Sequence, residues 1–126
     1  MLFRSVCATQ GCNAALGTFD PNACTTSPAP PSCGCVAQTQ GWTINCRNVA
    51  PVNAAVAYLR ANNCNSTATC TSASNECARN YYILNAHHDY CPEDSISTDA
   101  EDALHSFETY CAQCKVLPQY NPALPV

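Results

Sequence analysis

His87, His88, Asp89 and Cys91 are followed by Glu93, Asp94, Glu101, His105 and Glu108, so all three histidines of the chain lie among a run of carboxylates. Imidazole nitrogen with carboxylate oxygen is a ligand set for a zinc, copper or iron ion. The residues expected to supply it are His87, His88, Asp89, His105 and Glu108, with one histidine from each of two helices meeting across a turn. On a helix, His105 sits one turn from Glu101 and one turn from Glu108. The structural account of the same residues is also open. His88 falls on an apolar stripe and would be a packed, hydrogen-bonded core residue. Asp99, Glu101 and Asp102 complement the dipole of the helix they open. His105 with Glu101 or Glu108 would then be an ordinary surface pair.

Residues 76–108 hold eight acids and one arginine, a local charge of −7 against +3 for the rest of the chain. Such asymmetry can gather calcium or meet a basic partner, or simply form a solvated acidic face. No EF-hand loop is present, so a dedicated calcium cage is not expected. The overall charge of −4, with no basic stripe interleaved with aromatics, excludes ordinary nucleic-acid binding.

Cys111-Ala112-Gln113-Cys114 has the spacing of a thiol-disulfide oxidoreductase. It ends a helix instead of opening one after a strand, and no βαβ pattern surrounds it, so redox catalysis is not expected. A zinc ribbon needs a second such pair, and there is none. No nucleophile–base arrangement is evident either, and the chain reads as non-enzymatic.

Twelve cysteines, Cys7, Cys12, Cys24, Cys33, Cys35, Cys46, Cys64, Cys70, Cys77, Cys91, Cys111 and Cys114, make up close to a tenth of the 126 residues. That density belongs to an oxidising compartment, the secretory route or the cell exterior, and up to six disulfides are expected. Twelve thiols allow roughly ten thousand pairings, so spacing alone does not give the connectivity. Cys33 and Cys35, two residues apart, should bond different partners.

Three helices would position the histidines. The first spans Ala50 to Asn62, with Asn48 near its cap, Pro51 in its first turn and Val52, Val56 and Leu59 on one face. The second runs from about Ser74 to Asp89 and lines up Cys77, Tyr81, Leu84, His88 and Cys91 until Pro92 stops it. The third opens on a capping box, Thr98-Asp99-Ala100-Glu101, and buries Ala100, Leu104, Phe107, Cys111 and Cys114. Residues 1–49 read as irregular stapled backbone, with a short strand or hairpin around Trp42 to Ile44 and Trp42 as a core anchor. Segment 62–77 has no apolar periodicity and reads as a loop. The tail 115–126 contains three prolines and is expected to be extended and docked on its own domain or a neighbour.

The fold class is therefore a single small disulfide-rich domain, mainly α, with residues 50–114 as its helical part. No run approaches the roughly 20 apolar residues of a membrane span. No apolar leader follows Met1, so the chain is expected to be a piece of a longer precursor or to have its true start elsewhere. With 11% charged residues and one lysine, the surface is built from amides and hydroxyls, which glycans or an assembly would keep soluble. Asn65-Ser66-Thr67 is an N-glycosylation acceptor in a loop. The Pro-rich segment 25–32 offers Thr25, Thr26, Ser27 and Ser32 for O-glycans or is a stiff connector.

The stretch YYILNAHHDYCPEDSISTDAEDALHSFETYCAQC resembles uncharacterised Cys-rich extracellular modules of algae and other single-celled eukaryotes. The matching positions are His87 or His88, Asp89, Cys91, Pro92, Asp94, His105, Glu108, Cys111 and Cys114. The resemblance implies an extracellular modular protein and favours metal binding. Composition favours a module that self-associates, or joins neighbouring modules, into a glycosylated surface layer or fibre. A transition-metal module and a carrier of a small apolar ligand are the alternatives.

Overall fold

The computed structural model describes residues 31–72 and 74–116. It is a small, disulfide-rich, mainly α structure: α1 (Cys33–Gln40), α2 (Ala50–Ala61), α3 (Thr67–Cys70), α4 (Glu76–Tyr90), a 3-10 turn (Glu93–Ser95) and α5 (Thr98–Phe107). Among the described residues the β structure is one isolated parallel bridge, Ser32 to Lys115.

The middle helix, α4, packs against all four others. Its interior is buried on two sides, and each side has its own core. On one, Cys77, Tyr81 and Leu84 meet Val52, Val56 and Leu59 of α2 and Ala100, Leu104 and Phe107 of α5. On the other, Ala78, Tyr82 and Ala86 meet Cys33, Ile44 and Cys114, with Val36 and Trp42 packed alongside. A helix clad on both sides buries polar groups too, and these must be paired. Asn80 Nδ2 donates to the Glu76 carbonyl at 2.9 Å, and Asn85 Oδ1 accepts from the Cys114 N–H at 2.8 Å. The Tyr81 hydroxyl donates to the Leu104 carbonyl at 3.4 Å, and burial, with Glu108 and Asp89 nearby, pushes its pKa up.

Four disulfides between described residues fix these layers: Cys33–Cys114, Cys46–Cys91, Cys64–Cys77 and Cys70–Cys111. They close separations of 81, 45, 13 and 41 residues, and loops of that size restrict the unfolded chain by roughly 3–4.5 kcal/mol each in the chain-entropy model. Cys35 is also disulfide-bonded, while Cys7, Cys12 and Cys24 lie outside the described residues. Cys111 and Cys114 do not bond each other: one goes to α3, the other to α1.

The first helix expected, over 50–62, is α2 with Asn62 as its C-cap; Asn48 Oδ1 accepts from the Ala50 N–H at 3.2 Å. Elsewhere the elements differ from the sequence reading. Residues 33–40 are helical, not irregular or extended, because Ser32 Oγ accepts from the N–H groups of Gly34 and Cys35 and Gly41, at φ 79°, closes the helix in the left-handed region. Segment 62–77 contains the one-turn helix α3, capped by Ser66. The N-cap of α4 is Asn75, whose side chain accepts from the Cys77 N–H at 2.7 Å. The third helix ends at Phe107, seven residues before Cys114, since the segment that follows must reach both Cys70 and Cys33. Within that segment the Ala112 N–H donates to the Cys70 carbonyl, the Cys33 N–H donates to the Lys115 carbonyl, and the Lys115 N–H donates to the Pro31 carbonyl, flanking the Ser32 bridge. The remainder of the tail, 117–126, lies outside the described residues.

Candidate metal centre

The sequence places a capping box at Thr98 to Glu101, but the cap is one residue earlier. Ser97 Oγ accepts from the Ala100 N–H at 3.0 Å, so Glu101 falls at the fourth helical position, beyond the reach-back position of a capping box. The glutamate is thereby released from the backbone and stands on the flank of α5 that faces α4. Asp99, in the first turn, is paired instead with Arg60 of α2 at 2.8 Å.

Two histidines converge on that glutamate. His88 Nε2, from the last turn of α4, is 2.6 Å from Glu101 Oε1. His105 Nε2, one helical turn beyond Glu101, is 2.8 Å from Oε2. The rings stand edge to face with centroids 6.0 Å apart. Each outer ring nitrogen is anchored by a further carboxylate: His88 Nδ1 to Asp89 Oδ1 at 2.8 Å, His105 Nδ1 to Glu108 Oε2 at 3.1 Å. Asp89 is itself held, since its Oδ2 accepts from Asn85 Nδ2 at 2.9 Å. The result is a continuous line Asn85–Asp89–His88–Glu101–His105–Glu108.

The charges follow from these bonds. Partial burial works against a charged His88, but its bonds to Asp89 and Glu101 prevail and hold the imidazole above its ordinary range. Glu108, then Glu101, raise His105. Glu101, between His105 and His88, is held below the usual carboxylate range.

One ligand atom each from His88, Glu101 and His105 lies within 4.8 Å of the others. Metal–ligand bonds of about 2.0–2.1 Å set tetrahedral ligands about 3.4 Å apart, so an ion would widen the two short contacts by roughly 0.6–0.8 Å. The side chains are 25%, 45% and 54% exposed and have room to give. In that arrangement the Nδ1–H groups donate to Asp89 and Glu108, the outer bonds that fix the tautomer and aim of a metal-ligating imidazole. Two imidazole nitrogens and one carboxylate fit zinc or copper, and iron(II) as well, with a position left over.

His87 takes no part. It is fully buried on the other side of α4, its Nε2 accepting from the Asn45 N–H at 3.0 Å and its Nδ1–H donating to the Ile83 carbonyl at 2.8 Å. Both nitrogens are committed, and burial holds its pKa below the ordinary value despite the bond to Ile83. The stripe through Cys77, Tyr81 and Leu84 thus leads to a rim at His88, while the adjacent His87 is the core histidine. Past Leu84 the helix faces the polar flank of α5 on one side and the loop through Trp42 and Asn45 on the other; the His87 and Trp42 rings lie 6.4 Å apart. Cys91 is bonded to Cys46 and offers no thiolate.

Of the residues expected to be ligands, His88 and His105 face each other and Asp89 and Glu108 stand behind them, while the third member of the cluster is Glu101, which lies outside that expected set. The signal for Glu101 is its spacing of four from His105, a spacing that a role at the helix start explains equally well. Among the glycan candidates, Asn65 is exposed immediately before Ser66, whereas Ser32 is fully buried as the α1 cap, a position without room for a sugar. Thr25, Thr26 and Ser27 lie outside the described residues.

No protein-family model, curated protein or solved structure matches the chain. Among the described residues no helix is long and apolar enough to cross a membrane, and the disulfides suit an oxidising compartment.

Proposed function

We propose that this is an extracellular module that binds one transition-metal ion, zinc or copper, through His88, Glu101 and His105. The observation that carries the reading is the convergence of two Nε2 atoms on one carboxylate while both Nδ1 atoms rest on separate carboxylates. A chance surface ion pair needs one histidine and one acid. This line uses two of the former and three of the latter, tied through Asn85 to the backbone of Cys114. The role is binding, without catalysis.

A self-assembling layer or fibre module, favoured by the charge-poor composition, has no comparable observation behind it. Among the described residues Tyr110, 37% exposed, is the exposed large hydrophobic side chain.

Calorimetric titration of zinc or copper into chelator-treated protein with its disulfides intact tests the reading. One ion per chain is expected, with His105→Ala and Glu101→Gln each losing most of the affinity. Absence of stoichiometric binding, or variants that bind as well as the parent, overturns it.

A further inference from the structure

Resting on that metal reading, we infer that the ion takes its next ligand from outside the chain, and that this ligand is an uncharged nitrogen donor such as an imidazole or amine. Three observations lead there. First, the ligand cluster has three members among the described residues, and every cysteine among those residues, Cys91 included, is disulfide-bonded and offers no thiolate as a fourth. Second, His88 and Glu101 form one wall of a cleft of about 340 Å³ whose other walls are Cys91, Glu93 and Ile96. The cleft therefore borders two of the ligands and gives a small molecule or a protruding side chain direct access to the ion. Third, the charge around the ion is set. Asp89 and Glu108 back the imidazoles, Glu101 is a ligand and Glu93 lines the approach. Four carboxylates exceed the two positive charges of the ion, so the loaded site stays anionic and repels azide, phosphate or a carboxylate. A neutral nitrogen carries no such penalty, and Ile96 gives apolar surface to the ring or chain that bears it.

The test uses the disulfide-intact protein loaded with cobalt(II), whose visible absorption reports changes in the coordination sphere, and titrates it with imidazole and with azide. Imidazole is expected to shift the spectrum with half-saturation at a concentration at least tenfold below that of azide. Glu93→Gln is expected to narrow that ratio several-fold by removing the charge at the approach. Equal response to azide and imidazole overturns the inference while leaving the metal reading in place. So does a spectrum indifferent to both that changes on Glu93→Gln, which would make Glu93 the fourth ligand. Failure to bind cobalt or zinc at all removes the metal reading and this inference with it.

Discussion

Asn85 Nδ2 donates to Asp89 Oδ2 across 2.9 Å, one turn along the same helix, and through this bond the interior of the protein orients a side chain at its surface. Asn85 is 3% exposed and its oxygen is fixed by the Cys114 N–H. Asp89 then presents its other oxygen to His88. Such outer partners contribute substantially to metal affinity.

Asp89→Asn and Glu108→Gln should therefore each weaken zinc or copper binding by about 10- to 100-fold without changing its stoichiometry. Competition titration against a chelator of known affinity measures the loss. An unchanged affinity would make the outer carboxylates bystanders.

Metal binding should fade in acid earlier than at an ordinary histidine site. The ion must displace protons, and the carboxylates around His88 and His105 raise both imidazoles. The proton competes while pH is still above about 6.5, the ordinary histidine value, and affinity falls steadily below that. A zinc titration series across this range should show the decline, and a pH-independent affinity would contradict it.

His87 should matter to folding and not to metal. His87→Leu removes the acceptor of the Asn45 N–H, at a cost of about 1–3 kcal/mol, and leaves the zinc isotherm as it was. Burial depresses the His87 pKa in the folded state, so the unfolded chain takes the proton first. Its contribution is full above about pH 6.5 and is lost as pH falls through and below that value. The stability gap between parent and variant, from denaturant midpoints, should accordingly shrink in acid.

Asn65 should carry an N-glycan when the protein passes through a eukaryotic secretory pathway, because the acceptor and Thr67 are both exposed. Intact mass before and after enzymatic deglycosylation should differ by a glycan, and Asn65→Gln should abolish the difference.

The Cys111-Ala112-Gln113-Cys114 motif should be inert as a redox couple. Digestion without reduction should release cross-linked peptides joining Cys70 to Cys111 and Cys33 to Cys114, and the protein should not turn over in a disulfide-reductase assay. A peptide holding Cys111 bonded to Cys114 would refute the pairing.

The α2 helix and the core of α4 were legible because Val52, Val56 and Leu59, and Cys77, Tyr81 and Leu84, repeat at helical spacing. Ser32 and Gly41 are equally plain boundary signals for α1, yet Pro-rich chain before them and Trp42, Thr43 and Ile44 after them favour extended backbone. Choosing between His87 and His88 was beyond periodicity. On a helix buried from both sides, neighbouring positions can both face inward, and only the partners across the gap, Asn45 for one and Glu101 for the other, decide which is core and which is rim. Glu101 was obscured because a box at Thr98 and a cap at Ser97 fit the same sequence, and the shift of one residue redirects that side chain.

Cys111 belongs to the core shared with α2 and α5, Cys114 to the core shared with α1, and only two residues separate them in the chain. A short covalent clasp thus runs across α4 at Asn85 and joins its two sides. Loosening one side pulls on the other through backbone that has no slack, so the halves are bound to melt together, as one transition.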